Sequence, residues 1–365
     1  MTKPTATIKL LIVVPTLECG GLERNVSIIC NNIDTAKYDV TLAVLNNTNQ
    51  FFQITNPAVN VIDLKINNVR MSLFAILRLA KKLNPAIILT TANHLNLFLA
   101  IFKWMFPGKL KIIARESSIV SVNTQRTWNP RVYHWLLKTF YKKIDLIICQ
   151  SESMRDDLLA HYHIPKNKTH IIYNSVKAPA VNEGEEAAVS YAKFITVARL
   201  STEKGLDRLI RAVSLLKIPY QFTIIGEGYK RAALQEVINE LSLQSNVFLN
   251  GSSSKPFSIV ANPDLFLMGS YYEGFPNAML EAFAAGIPAV AFNAPGGIAE
   301  LLADNENGIL VKENDEAAFA AAIQKALAHS FDKKKIQAST LQRFNIDAVM
   351  KEWDKVFEEM NISKK

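Results

Sequence analysis

The sequence predicts an α/β protein built from two doubly wound domains in tandem. Its 365 residues exceed the size at which a single core usually stops growing. Short runs rich in Ile and Val alternate with amphipathic segments from end to end, and near-continuous apolar strands separated by helices mean parallel sheets covered on both faces. That alternation stops once, at KAPAVNEGEEAAVS, residues 177–190, where Pro, Gly and clustered acids mark a linker.

Taken in order, the first half offers strands in IKLLIVVPT, YDVTLAVLN, VNVIDL, AIILTTA, KLKIIARES, LIICQS and THIIYNS, with GLERNVSIICNNI and SMRDDLLAHY among the helices between them. The second half offers FITVARL, QFTIIGEG, NVFLNG, DLFLMGS, AVAFNAP and GILV, and the chain ends in a helical pattern over about 335–361. The expected divisions are a first domain over 1–176, a linker over 177–191, a second domain over 192–345 and a terminal helical segment over 346–365. Folds of this kind bind ligands at the carboxyl ends of their strands. With two of them, the default active site is a central cleft that both domains face.

Bulk composition narrows the function classes. Nearly half the residues are apolar and a fifth are charged, which excludes a disordered or fibrous chain. Three cysteines, Cys19, Cys30 and Cys149, lie in apolar or helical runs without a C-x-x-C spacing and read as reduced core residues of a cytoplasmic protein. The apolar run after the N-terminus ends at Pro15 without a small-residue cleavage site, so it reads as a buried strand. The greasiest segment, HLNLFLAIFKWMFPG, is interrupted by Asn96 and Lys103 and is shorter than the roughly 20 residues a spanning helix needs.

Charge is split between the halves. Residues 1–180 hold 22 Lys and Arg against 10 Asp and Glu, a balance of +12, whereas residues 181–365 hold 19 against 23, a balance of −4. The first half is therefore suited to an anionic surface or ligand such as anionic lipid, a lipid diphosphate or nucleic acid, unless its lysines are merely solvated.

Several chemistries are missing. No G-x-x-x-x-G-K-[ST] loop, no G-x-G-x-x-G after the first strand, no H-E-x-x-H and no G-x-S-x-G occurs, which counts against kinase, dehydrogenase, zinc protease and esterase. The Asp-x-Asp metal clamp is also absent, so no metal site is expected. What is present lies at strand ends. Gly20 and Gly21, in TLECGGLER, could let a phosphate approach the backbone N–H groups of the next helix; a plain tight turn is the competing reading. Arg199 and Lys204, in VARLSTEKG, place two cations between a strand end and a helix start near Gly205, a combination that favours a diphosphate.

Two further acids lie in SYYEGFPNAMLEAFAAG, residues 270–286. Pro276 suits the first position of a helix and Gly286 its C-terminal cap. At 100° per residue Met279, Leu280 and Phe283 share one face, and Asn277, Glu281, Ala284 and Ala285 share the other. Glu281 is then a lone carboxylate among small side chains, with room for a ligand. Glu273 lies on the preceding loop beside exposed backbone donors at a helix start, an arrangement suited to polyhydroxyl recognition. An ordinary N-terminal acid plus one exposed helical Glu is the alternative.

These residues together resemble the retaining glycosyltransferases of family 4, which have the GT-B fold of two Rossmann-like domains. The resemblance covers almost the whole chain and rests on GGLER, ARLSTEKG, IIGEG and above all SYYEGFPNAMLEAFAAGIPAV followed by NGILV. It implies that Glu281 holds the ribose hydroxyls of a nucleoside diphosphate sugar and that Glu273 contacts the transferred sugar. Arg199 and Lys204 would neutralise the diphosphate, helped by backbone around Gly20, Gly21 and the Gly274, Phe275, Pro276, Asn277 turn. His94, in TANHLN at the end of the fourth strand, falls where related enzymes place a histidine near the sugar; a buried structural histidine is the alternative. The terminal helix would pack back on the first domain. No cofactor is implied beyond the nucleotide sugar donor. Its base and sugar are expected, from the resemblance alone, to be UDP and an N-acetylhexosamine.

The first half carries the features that bear on the acceptor. LFLAIFKWMFPGKLK and NPRVYHWLLKTFYKKI combine Trp, Phe, Tyr and Leu with Lys103, Lys109, Lys111, Arg131, Lys138, Lys142 and Lys143. Aromatics beside cations mark a surface that lies on an anionic membrane, unless the aromatics are core. The expected partner is a polyprenyl-diphosphate-linked glycan acceptor at the cytoplasmic face of the inner membrane. A soluble or lipid A-linked acceptor, a nucleotide-sugar 2-epimerase of the same architecture and a non-catalytic nucleotide-binding module are the rivals. No nucleic-acid partner is expected, because no aromatic platform or helix motif for one is found.

Overall fold

The computed structural model describes residues 7–18, 20–181, 191–312 and 315–362. Two compact units result, one formed by Met1–Ser175 with Ile346–Lys365 and the other by Val176–Asn345. Most of the 177–191 linker read from sequence lies outside the described residues, as does Cys19.

The first unit runs β1 (Ile8–Val14), α1 (Gly21–Asn32), β2 (Tyr38–Val44), β3 (Asn60–Asp63), α2 (Ser72–Leu83), β4 (Ile87–Thr90), α3 (Asn93–Ile101), β5 (Lys111–Arg115), α4 (Val120–Gln125), α5 (Pro130–Phe140), β6 (Leu146–Cys149), α6 (Glu152–Tyr162) and β7 (Thr169–Ile171). Its seven strands pair in the order β3-β2-β1-β4-β5-β6-β7, and every pairing is parallel. Central strands such as Ile87–Thr90 are buried throughout, because helices cover both faces, and that is why they read as unbroken apolar runs. Local chemistry fixes the helix ends. The Asn129 side chain accepts from the Val132 N–H ahead of Pro130 at the start of α5, and Asn84 closes α2 in the left-handed region at φ 46°.

The second unit runs β8 (Ala192–Val197), α7 (Leu206–Ser214), β9 (Tyr220–Ile225), α8 (Arg231–Glu240), β10 (Val247–Leu249), β11 (Leu265–Met268), α9 (Asn277–Ala284), β12 (Ala289–Phe292), α10 (Ile298–Leu301), β13 (Gly308–Val311), α11 (Glu316–Ala328) and α12 (Lys333–Phe344). Its strands pair in the order β10-β9-β8-β11-β12-β13, again all parallel. In both sheets the order reverses beside the first strand of the unit, so each has a switch point at the carboxyl ends of its strands.

The helical pattern over 335–361 is two helices. Asn345, at φ −64° and ψ 158°, ends α12, and α13 (Ile346–Ile362) follows. The break has a packing reason. α12 buries Ile336, Thr340 and Phe344 within the second unit, whereas Ile346, Met350, Trp353, Val356 and Phe357 of α13 join Val26, Tyr38 and Val40 in the core of the first. Tyr38 and Phe357 meet edge to face at 5.6 Å, and Lys37 bridges to Glu358 at 3.2 Å. Cys30 and Cys149 are buried free thiols, and burial pushes the Cys30 thiol up to about 12. Among the described residues no helix is long and apolar enough to cross a membrane.

Candidate active site

The carboxyl ends of the second sheet carry four loops that interlock through their backbones. The loop after β8 turns at Thr202–Lys204 and enters α7 through Gly205, whose φ of 53° is left-handed. A Cβ on Gly205 would overlap the Gly269 carbonyl, so the loop after β11 can lie directly against it only because both positions lack side chains. The contact is reinforced by the Tyr271 N–H, which donates to the Glu203 carbonyl at 2.9 Å. The loop after β9 joins the same cluster where the Leu200 N–H donates to the Glu227 carbonyl at 2.9 Å, and a Cβ on Gly228 would overlap the Leu200 carbonyl. From the β12 side, the Glu273 N–H donates to the Pro295 carbonyl at 3.0 Å and the Gly297 N–H to the Gly274 carbonyl at 3.1 Å. Gly296, at φ +115°, leaves no room for a side chain against the Glu273 carbonyl.

This interlock puts two residues singled out in the sequence into direct contact. Lys204 Nζ lies 2.6 Å from Glu273 Oε1, and the Ser270 hydroxyl donates to the same oxygen at 2.6 Å. Glu273 is buried, with 9% of its surface exposed. A carboxylate so enclosed needs these donors, because desolvating it alone would cost several kcal/mol. Arg199 is exposed two residues past β8 and acts electrostatically on Glu203. Burial alone would raise the Glu203 carboxyl, but the Ser201 hydroxyl, its own N–H and the charges of Arg199 and Lys204 together hold it below its usual value. Each cation thus has an acid nearby: the cluster is close to neutral.

Glu281 is half-buried on α9 with Asn277 and Ala285 beside it on the helix surface, while Met279, Leu280 and Phe283 are buried. Three details differ from the sequence expectation. Ala284 is fully buried and does not share the Glu281 face. Pro276, at ψ 87°, stands just outside the helix as its N-cap, since that ψ is not helical. The Glu273 N–H is already bonded to Pro295, so the donors beside that carboxylate are fewer than expected. Phe275 is buried and packs on Phe344, with ring centroids 5.7 Å apart.

Arg208, which sequence reasoning missed, holds this loop in place. It sits one turn along from Lys204, buried to 3% exposure, with its guanidinium stacked on Tyr271 at 4.1 Å and Phe292 at 4.0 Å. Nε donates to the Gly269 carbonyl at 2.7 Å and Nη2 to the Ser270 carbonyl at 2.5 Å. The fork geometry of guanidinium suits two adjacent carbonyls. In sequence Arg208 looks like any surface cation on an amphipathic helix.

The remaining predicted residues lie in the first unit. Gly20 precedes α1 with an extended backbone at φ −165°, so its conformation does not require glycine; a Cβ there would instead crowd the Glu23 carboxylate. His94 lies past the end of β4, in the first turn of α3, and is exposed, which excludes the buried structural alternative. It borders a pocket of about 370 Å³ shared with Arg70, Leu97 and Tyr133. Partial enclosure of the ring by the pocket lowers its pKa from the usual histidine value. Behind the pocket, Glu116 is buried at 1% exposure. It accepts from the Asn96 amide and the Tyr141 hydroxyl, each at 2.7 Å, and from the Asn93 amide at 3.3 Å. The Tyr133 hydroxyl donates in turn to Asn93 at 2.5 Å. Burial raises the Glu116 carboxyl despite these donors.

Of the cations expected on a lipid-facing surface, Lys103 and Lys111 are held by Asp145 at 2.6 and 3.9 Å, so they are not available to lipid. Phe106 is core. Trp104, Trp128 and Trp135 are exposed, however, and so are Met71 and Phe74 of the α2 region, which the sequence did not single out.

The model of the Glycosyltransferase Family 4 domain matches residues 19–178, and that of Glycosyl transferases group 1 matches residues 182–342. The N-acetylgalactosamine-N,N'-diacetylbacillosaminyl-diphospho-undecaprenol 4-alpha-N-acetylgalactosaminyltransferase of Campylobacter jejuni is 27% identical over 92% of this chain and 98% of its own length. The amylovoran biosynthesis glycosyltransferase AmsD of Erwinia amylovora is 23% identical over 95% of this chain and 99% of its own. Among solved structures, Anabaena Alr3699/HepE in complex with UDP-glucose superposes with a TM-score of 0.78 at 19% identity, over 96% of this chain and all of that one. The apo lipopolysaccharide outer core galactosyltransferase WaaB gives 0.76 at 18%, with the same coverage. At such identities the structures establish a shared two-domain GT-B fold.

Proposed function

The chain belongs to glycosyltransferase family 4, and from that membership we propose that it moves an N-acetylhexosamine from UDP to a polyprenyl-diphosphate-linked glycan, with retention of configuration and without a metal ion. The observation that carries this reading is the contact of Lys204 with Glu273 at the N-terminal end of α7.

A diphosphate arriving beside Arg199 and the start of α7 meets cations and a helix dipole, all of which favour negative charge. Lys204 would then leave Glu273 for the phosphate. That exchange frees a preorganised carboxylate, held by Ser270, to accept from hydroxyls of the sugar. Glu281 would hold the ribose in the same way. The leaving group is the nucleoside diphosphate. Its developing charge falls on the two cations, and the departing phosphate oxygen can take the proton of the attacking acceptor hydroxyl, so that the new bond forms on the face the old one leaves. Stabilising charge as it develops is the largest catalytic contribution a protein of this kind can make.

The lipid-linked acceptor and a peripheral position on the cytoplasmic face of an inner membrane are supported by the basic first half and its exposed tryptophans. They also agree with the undecaprenol-linked substrate named for the Campylobacter relative. The test is acceptor-free hydrolysis of a panel of nucleotide sugars after chelation of divalent metals. UDP released from UDP-N-acetylhexosamines is expected; release of GDP or ADP instead, or complete loss on chelation, would overturn the donor or the metal-free mechanism respectively.

A further inference from the structure

We propose that the pocket between the Val69–Met71 turn, α3 and α5 of the first unit takes the head-proximal isoprenoid units of a prenyl-diphosphate lipid, with Arg70 at its mouth for the diphosphate. This deepens the reading above and rests on it, since a lipid-linked acceptor is what gives such a pocket a substrate.

Leu97, Phe98, Ile101, Val132 and Leu136 give the volume of about 370 Å³ an apolar side, while Asn67, Asn68, His94 and Tyr133 also line it. That volume is near the lower limit of small-ligand sites, so it suits a short stretch of branched chain and not a whole lipid. The remainder of the chain has a path out over exposed apolar groups. Trp128, on the pocket wall, is 82% exposed, and Met71 and Phe74, beside Arg70, are 71% and 75% exposed. Helix α5 points the same way. It has eleven residues, mostly apolar, yet Leu137 is its one fully buried side chain. Exposed large apolar side chains gathered around a pocket mark a binding surface more often than chance exposure does.

Charge selects the occupant. Residues 64–144, which contain every element lining the pocket, hold fourteen Lys and Arg, of which Lys103 and Lys111 are held by Asp145 and Arg115 is buried, and a single acid, Glu116, which is also buried. Arg70 is exposed and makes no ion pair among the described residues. A cavity with an apolar side and an exposed guanidinium among its lining residues complements an apolar chain that ends in phosphate. A phospholipid bilayer, by contrast, would meet the cations and the exposed rings without needing a cavity.

The full-length protein is titrated calorimetrically with farnesyl diphosphate, with inorganic pyrophosphate and with phosphatidylglycerol vesicles, alongside a UDP titration. Saturable, single-site binding of farnesyl diphosphate is expected, with pyrophosphate weaker by about tenfold or more because it lacks the buried chain. Val132→Asp, at a position 41% exposed, should weaken farnesyl diphosphate by about tenfold by placing a carboxylate on the apolar wall, with UDP affinity and melting temperature unchanged. Trp128→Ala, at the exposed rim, is the second variant should Val132→Asp destabilise the fold, and should weaken farnesyl diphosphate several-fold. Equal binding of pyrophosphate and farnesyl diphosphate would overturn the proposal. So would capture by vesicles without any farnesyl diphosphate binding. If UDP still binds in that case, the glycosyltransfer reading stands and only the pocket assignment fails.

Discussion

Lys204 and Glu273 are each other's partner before any substrate arrives, and this makes their substitutions asymmetric. Lys204→Ala removes a cation from the diphosphate and leaves Glu273 enclosed with Ser270, so turnover should fall by about 10² or more, measured as kcat for donor hydrolysis. Near-normal turnover would exclude the assignment. Gly296→Ala tests the interlock itself. At φ +115° with a carbonyl where the Cβ would go, the variant must push the Glu273 loop aside, at an expected cost of about 1–3 kcal/mol in urea unfolding and a larger loss of kcat. Arg208→Lys keeps the charge but loses the fork, and should raise KM for the donor more than it lowers the melting temperature.

Glu116 gives a pH prediction. Its carboxyl is raised above 4.5 in the folded protein, so the fold holds its proton more tightly than the unfolded chain does. Stability from this group is fully present below about pH 4.5 and is lost as pH rises through the folded value. Glu116→Gln should therefore gain stability relative to the parent as pH rises toward neutrality, read as the difference in urea midpoints. A difference independent of pH would show that the carboxyl is not raised.

Strand positions were legible because a parallel sheet covered on both faces demands uninterrupted apolar runs, and Ile87–Thr90 or Leu265–Met268 can hardly be read otherwise. The helix carrying Glu281 was legible to within a residue at its start, where the ψ of Pro276 decides the matter. What was not legible depends on contacts across the fold. Arg208 has an unremarkable helical position, and nothing near it in the chain says that Gly269 and Ser270 will present their carbonyls to it. Gly296 matters only because β12 lies beside β11. Lys103 and Lys111 read as free cations until β6 brings Asp145 to them. Phe74 falls on a helix whose inner face, Leu73, Ile76 and Leu77, is ordinary core, and Met71 ends the turn just before it, so their exposure escapes a reading by composition. For α13, periodicity shows an amphipathic helix without saying which core it fills. Trp353→Ala should cost about 3–5 kcal/mol, seen as a lower urea midpoint for the first unit, because that ring is 2% exposed in its core.

The excess of positive charge is not spread over the chain. It is concentrated in residues 64–144, and with exposed aromatics on the same elements it predicts binding to anionic vesicles that weakens as salt rises, because screening shortens to about 8 Å at physiological ionic strength. Flotation with phosphatidylglycerol vesicles checks this. Absence of binding at moderate salt would remove the membrane part of the proposed function and leave transfer chemistry untouched.

Because α13 completes the core of the first unit, that unit cannot finish folding when its own seven strands have been made. The ribosome must first synthesise Val176–Asn345, the whole of the second unit, which at ordinary elongation rates takes on the order of ten seconds or more. During that interval the surface that Trp353 and Phe357 will cover is open on the nascent chain. The second unit, contiguous in sequence, is thus positioned to fold first, reversing the usual N-to-C order, and the first unit has the greater need of chaperone protection during synthesis.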